Sequence, residues 1–147
     1  MITQIQTNLK QAMLARETFK VSTLRMALTA LNNEAISKGP GTTLSLSEGE
    51  VVIKRLIKSR QDSVEQFTKG GALDKAKAEQ DEITILSAYL PKQLTDEELE
   101  AAVDEAIKTT KAATRKEMGA VMAHLKATYG NIFDAKRAST LVTARLA

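Results

Sequence analysis

The chain lacks cysteine and contains few aromatic residues, prolines and glycines. Of its 147 residues none is Cys, 3% are aromatic, two are Pro and seven are Gly. The absence of cysteine excludes disulfides, thiolate metal sites, iron–sulfur clusters and a cysteine nucleophile. A core without large rings must be built from aliphatic side chains, which fit the seams between packed helices. Because so few Pro and Gly residues interrupt the chain, we predict long helices.

Long apolar runs are also absent. The N-terminal residues contain no basic region followed by an apolar stretch, so no signal peptide is predicted. No apolar run approaches the roughly 20 residues that are needed to cross a bilayer. We therefore expect a cytoplasmic protein that does not bind a membrane.

Apolar residues recur at helical spacing along almost the whole chain. The helices are predicted to begin at or near Thr3, residue 18, Ser47, residue 72, Thr95, Thr114 and residue 134. The three assigned capping boxes, in which a Ser or Thr and a Glu three residues later cap a helix start, are Ser47/Glu50, Thr95/Glu98 and Thr114/Glu117. The predicted fold class is all-α, with an N-terminal subdomain of about four helices and a C-terminal three-helix bundle.

The stretch Tyr89-Leu90-Pro91-Lys92-Gln93-Leu94 separates these two parts. Pro91 lacks the amide proton that a continuing helix needs. We predict an N-terminal subdomain over 1–90, a joint over 91–95 and the bundle over 96–147. The structural residues of the joint are Tyr89, Leu90, Pro91, Gln93 and Leu94. Tyr89, Leu90 and Leu94 are expected to pack the smaller bundle against the larger subdomain.

No catalytic motif is present in the sequence. The single histidine, His124, stands beside an apolar stripe with no nucleophile motif near it, so a structural role is favoured. The acids at 96–100 resemble the charged first turn of a helix, not a calcium loop. We therefore predict no catalytic residue, no metal ligand and no cofactor.

Charge is distributed unevenly although the net value is only +3. Residues 51–61 contain four bases and no acid, and residues 106–147 contain eight bases and two acids. Such patches can attract an anionic partner. The candidate phosphate contacts are Lys54, Arg55, Lys58, Arg60, Lys116, Lys126, Lys136 and Arg137. The alternative is that these bases form solvated helix faces. Because aromatics are scarce, a bound RNA would be contacted through its backbone and shape.

Several segments resemble the GatB/YqeY family, and the resemblance extends over essentially the whole chain. The most specific part is the Tyr89–Leu94 string followed by Met118-Gly119-Ala120-Val121-Met122; Ser22–Met26 and Arg60–Phe67 also match. The chain looks like the small, stand-alone, bacterial-type YqeY-like member. The sequence departs from the family at Ala135, where members often have Gly in an Asp-Gly-basic turn, and at Ala72, where many have Arg.

The resemblance implies kinship with the tail of the B subunit of glutamine-dependent aminoacyl-tRNA amidotransferase, which is associated with tRNA binding. It also implies the family label of a carbon–nitrogen ligase with glutamine as amido donor. The chain lacks the large domain that carries this chemistry in the full subunit. We expect a non-catalytic accessory module that binds tRNA or a tRNA–protein complex. The alternative is a protein-interaction adaptor that uses an apolar groove between the two subdomains without binding RNA.

Overall fold

The fold of the chain is entirely helical in the computed structural model, which describes all residues from Met1 to Ala147. The α-helices are α1 Ile2–Leu14, α2 Thr18–Ser37, α3 Leu46–Lys69, α4 Leu73–Ser87, α5 Asp96–Thr110, α6 Met118–Tyr129 and α7 Ala135–Arg145. A short 3-10 helix, Arg115–Glu117, precedes α6. The predicted all-α class is confirmed. None of these helices has the length and apolar character required to cross a membrane.

The chain divides into two compact units, Met1–Leu90 and Pro91–Ala147, which we name the N-terminal and C-terminal units. The N-terminal unit contains α1 to α4, and each of these helices contributes to one aliphatic core. The most deeply buried large side chains of this core are Ile5, Leu24, Leu31, Ile53 and Leu86, all with 0% exposure. Removing these aliphatic side chains from water is the main contribution to the stability of the unit.

The C-terminal unit contains α5, α6 and α7, which enclose a second core. Its largest fully buried side chains are Val103, Val121, Leu125 and Val142. Phe133, in the turn between α6 and α7, packs against them and is 5% exposed. The short helices therefore bury their apolar stripes against one another within this unit, as the spacing of those stripes predicted.

The start of α3 differs from the prediction. Ser45, and not Ser47, is the capping residue: its hydroxyl accepts from the Glu48 N–H at 3.1 Å, and the Glu48 carboxylate accepts from the Ser45 N–H at 3.0 Å. The pattern Ser-x-x-Glu occurs twice in succession in this segment, so sequence spacing fits both registers. The pair of Ser45 and Glu48 is further stabilised by an ion pair between Glu48 and Lys38 at 2.5 Å.

The other two predicted capping boxes are present. At the start of α5, Thr95 and Glu98 exchange bonds of 3.0 and 3.1 Å between side chain and backbone. Before α6, the Glu117 carboxylate accepts from the N–H groups of Ala113 and Thr114. Here the helix begins with a 3-10 turn.

The residues of the expected joint pack within separate units. Tyr89 is buried in the N-terminal core, where its hydroxyl accepts from Asn8 Nδ2 at 2.7 Å, and Leu90 is half-buried against the same core. Leu94 packs on the C-terminal core, and its N–H donates to Ile132 O at 2.7 Å. Gln93 Nε2 donates to the carbonyl of Pro91 at 2.9 Å. Each of these residues therefore stabilises the unit to which it belongs.

Candidate nucleic-acid interface

The outer face of α3 carries three of the predicted phosphate contacts. Arg55 and Lys58 are exposed, and Lys54 is half-buried. Arg55 Nη1 lies 3.6 Å from Glu34 Oε2 on α2, so part of its charge is balanced within the unit. Lys58 forms no ion pair in the structure, but Asp62 follows it one helical turn later. The positive patch on α3 is therefore small.

Arg60 does not belong to this outer face. It is only 7% exposed, and its Nε donates to Glu82 Oε2 on α4 at 2.6 Å. Its Nη1 donates to Leu56 O at 2.9 Å, and its Nη2 lies 2.7 Å from Met26 Sδ on α2. The guanidinium joins α2, α3 and α4, and all three of its nitrogens have partners within the unit. The prediction that Arg60 contacts phosphate is corrected on this ground.

The spacing of Arg60 contained the signal for its burial. It stands seven residues after Ile53 and three after Ile57, and both of these residues are buried. Residues at such intervals lie on one side of a helix. An arginine at a core-facing position with a glutamate on the neighbouring helix indicates an internal ion pair. Counting charges along the sequence does not distinguish such a buried arginine from an exposed one.

Lys126, Lys136 and Arg137 lie toward one end of the C-terminal unit. The contact of the Thr143 hydroxyl with Met118 Sδ at 3.1 Å sets the antiparallel register of α6 and α7, which places residue 126 near the start of α7. Lys126 and Lys136 are exposed and form no ion pair. Arg137 Nε binds Asp96 Oδ1 at 2.9 Å, which joins α7 to α5. Two of these three bases are therefore available to a ligand.

Lys116 lies at the opposite end of the same unit, in the 3-10 helix. The Arg115 N–H donates to Ala147 O at 3.2 Å, and the Ala147 N–H donates to Ala113 O at 3.1 Å. These bonds hold the segment before α6 against the end of α7. Lys111 ends α5 in a left-handed conformation with φ of 57°, so the chain turns directly from α5 into this segment.

Four bases lie within nine residues of chain at this turn. We name these four residues the basic end: Lys108, Lys111, Arg115 and Lys116. All four are exposed, and none forms an ion pair in the structure. Nearby Arg145 differs, because its Nε binds Asp104 Oδ1 at 2.5 Å. The sequence prediction singled out only Lys116. The signal for the other three is the lysine-rich end of α5 followed at once by the Thr114 capping box, which implies a short connection.

The match to known proteins covers nearly the whole chain. A family model described as Yqey-like protein matches residues 2–146. The chain belongs to the YqeY-like family. The predicted family resemblance is therefore confirmed.

Fungal relatives of this YqeY-like chain carry the name altered inheritance of mitochondria protein 41, mitochondrial. The protein from Clavispora lusitaniae is 31% identical over 108 residues, which cover 74% of this chain and 58% of that protein. The one from Lachancea thermotolerans is 30% identical over 60% of this chain and 47% of its own length. The Saccharomyces cerevisiae protein is 27% identical over 89% of this chain and 69% of its own length. The chain thus spans about half the length of the first two relatives.

The names of these relatives bear on the expected location and type of the protein. They are fungal mitochondrial proteins. They give no support to the expectation of a bacterial-type, cytoplasmic member, which stays a prediction. Their printed names state no ligand and no reaction.

Several residues that carry the family resemblance are buried. Arg60 is 7% exposed, Tyr89 is 9% exposed and Val121 is 0% exposed, while Met118 and Met122 pack against the C-terminal core. Leu90 and Leu94 are half-buried in their respective units. The matching residues of this YqeY-like chain thus specify packing more than an exposed site. His124 is half-buried on α6.

Proposed function

We propose that this YqeY-like protein is a non-catalytic accessory module that binds the phosphate backbone of folded RNA, with tRNA as the class of ligand. The single observation that carries the proposal is the basic end of the C-terminal unit. Its four cations are exposed and are not neutralised by an ion pair within the chain. Cations in this state can replace the counterions that are condensed on the phosphates of a nucleic acid.

Backbone contact suits the composition of the surface better than base stacking does. The chain contains three Phe, two Tyr and no Trp. Tyr89 and Phe133 are buried, and Tyr129 is half-buried against the C-terminal core. Single-stranded RNA binders rely on exposed rings on which bases stack. A folded RNA, which presents its phosphates and its shape, fits this surface better.

The choice of tRNA rests on kinship with the tail of the amidotransferase B subunit. The chain has none of the large catalytic domain of that subunit, so we expect no glutamine-dependent amide transfer by the purified chain. An activity assay on mischarged tRNA with glutamine tests this part separately from binding. Amide transfer by the chain alone would make it an enzyme and would contradict the proposal.

Binding is measured by the anisotropy of labelled bulk tRNA at about 50 and about 200 mM salt. If the four cations of the basic end each contact one phosphate, the affinity should fall about 50- to 150-fold between these concentrations. Lys111→Glu with Lys116→Glu should weaken binding at least about tenfold, because it reverses two charges of the basic end. The matched control is Lys75→Glu with Lys77→Glu on α4, which changes net charge equally and should weaken binding far less.

Two further double variants locate the surface. Lys54→Glu with Lys58→Glu tests the α3 face, and Lys126→Glu with Lys136→Glu tests the other end of the C-terminal unit. A loss confined to the α3 variant would move the site to the N-terminal unit. Equal losses in all variants and in the control would indicate attraction to net charge without a site. Absence of binding at low salt would refute the RNA function and favour the adaptor, whose partners should persist in a pull-down after nuclease treatment.

A further inference from the structure

Large apolar side chains are exposed around the turn between α1 and α2. The exposed fractions are 50% for Met13, 78% for Leu14, 44% for Phe19 and 37% for Met26. Only three residues separate the end of α1 from the start of α2. Scattered exposed apolar residues are ordinary in proteins, but several that cluster around one short turn and are rimmed by charge indicate an interaction surface.

Two of these four residues, Phe19 and Met26, lie on α2, and the other two lie at the end of α1. Phe19 and Met26 stand seven residues apart and therefore lie on the same side of the helix, about 10 Å apart along its axis. Arg25, next to Met26, extends toward α1, where its Nη2 lies 4.0 Å from Met13 Sδ. The exposed residues between these two sides of α2, Thr18, Ser22 and Thr29, have small side chains.

Positive charge surrounds this apolar surface. Residues 1–33 contain four bases and a single acid, Glu17. Glu17 lies 3.9 Å from Lys20, which balances it. The remaining bases, Lys10, Arg16 and Arg25, are exposed. Lys10 precedes Leu14 by one helical turn on α1, and Arg16 lies in the turn itself.

We propose that this surface, the elbow patch of Met13, Leu14, Phe19 and Met26 with Lys10, Arg16 and Arg25, docks an acidic amphipathic helix of another protein. Two apolar anchors about 10 Å apart match residues i and i+7 of an incoming helix. The basic rim matches acidic residues on the flanks of such a helix. The elbow patch shares no residue with the basic end, so the inference does not depend on the RNA function.

A second copy of this chain does not provide that helix. The most acidic helix of the chain is α5, which starts with Asp96, Glu97 and Glu98. Its apolar residues are already used in the C-terminal core, where Leu99 is 2% and Val103 0% exposed. It therefore offers charge without exposed apolar anchors, so α5 of a second copy does not fit the elbow patch.

Selection from a displayed library of short random peptides on the immobilised full chain tests the proposal. The enriched peptides should be acidic, with apolar residues three, four and seven positions apart. Leu14→Ser with Phe19→Ser should lower the affinity of a synthesised representative at least about tenfold, measured by fluorescence anisotropy. Lys10→Glu with Arg25→Glu should lower it by a similar factor, because the rim then repels the acidic flanks.

The matched control is Ile36→Ser with Leu73→Ser, which removes two apolar side chains that are 71% and 65% exposed elsewhere on the same unit. Its peptide affinity should equal that of the wild type. All four substituted apolar positions are exposed, so helical circular dichroism should be unchanged, and tRNA affinity should not respond to the Leu14 and Phe19 changes.

Three outcomes would overturn the proposal. The library could enrich no acidic amphipathic peptide, or the representative could bind the Leu14 and Phe19 variant as tightly as the wild type. Vesicles of phosphatidylcholine with phosphatidylserine provide the third. If the vesicles bind the wild type but not the Leu14 and Phe19 variant, and no peptide displaces them, the elbow patch faces an anionic lipid surface instead.

Discussion

Removing the carboxylate of Glu82 should destabilise the N-terminal unit substantially. Arg60 Nε donates to this carboxylate at 2.6 Å, and the Arg60 side chain is only 9% exposed. Glu82→Ala would leave a buried guanidinium nitrogen without its anionic partner. Breaking a fully buried pair in this way costs about 3–5 kcal/mol. Because the Glu82 side chain is 24% exposed, water can replace part of the interaction, so we expect a loss of about 2–3 kcal/mol.

Tyrosine fluorescence allows the measurement to report one unit at a time. The chain has one Tyr in each unit, Tyr89 and Tyr129, and no Trp. In a Tyr129→Phe background, urea unfolding followed through Tyr89 reports the N-terminal unit. With a denaturant slope of about 1.5 kcal/mol/M, the expected loss lowers the midpoint by about 1.3–2 M. The control is Glu79→Ala, which removes a carboxylate that forms no ion pair one turn earlier on α4.

Replacing both charged partners distinguishes a stranded charge from a simple loss of packing. Arg60→Met with Glu82→Leu leaves no unpaired charge in the unit and should cost less than Glu82→Ala alone. The tRNA affinity of this double variant should equal that of the wild type, because Arg60 does not reach the surface. Equal unfolding midpoints for Glu82→Ala and Glu79→Ala, or a loss of tRNA affinity in the folded double variant, would contradict the structural role of Arg60.

Three further predictions concern the cores, the caps and pH. Leu86→Ala should destabilise the N-terminal unit by about 2–5 kcal/mol, and Leu90→Ala by clearly less because it is only half-buried; equal midpoint shifts in urea would contradict this. Thr95→Ala should lower the unfolding free energy of the C-terminal unit, followed by Tyr fluorescence, by about 1 kcal/mol, and an unchanged value would show that the cap contributes nothing. The Lys38 ammonium and the Ser45 backbone N–H lower the pKa of Glu48 from 4.5 to about 2, so their stabilisation is present above pH 4.5 and is lost as pH falls toward 2. Glu48→Gln should flatten the loss of thermal stability over that range, and an unchanged slope would contradict the assigned pairing.

The helices could be predicted from the sequence because their signals are local. Apolar residues at helical intervals gave all seven α-helices, and the Thr95 box fixed the start of α5 to the residue. The position of the α3 cap could not be decided in this way, since Ser45 and Ser47 both precede a Glu by three residues. The choice depends on Lys38, which lies beyond the intervening loop.

The candidate site was less predictable because exposure depends on tertiary contacts. Lys58 and Arg60 are two residues apart and carry the same charge, so the sequence pattern predicts the same role for both. Their helical angles differ, and Glu82 on another helix binds only one of them. The same effect removes Arg137 from the set of unpaired cations, because Asp96 lies opposite it on α5.

Ion pairs within the units therefore decide which cations are available to a ligand. Arg60, Arg137 and Arg145 each hold two helices together through a carboxylate. The unpaired cations at the basic end are mostly lysines, whose flexible stems keep the ammonium in water. Arginine suits the internal role because its planar group can bind several partners at fixed angles, as Arg60 does with Glu82 and the Leu56 carbonyl. If this division holds, charge reversal at Lys111 and Lys116 should change RNA affinity without changing stability, whereas substitution of the paired arginines should do the opposite.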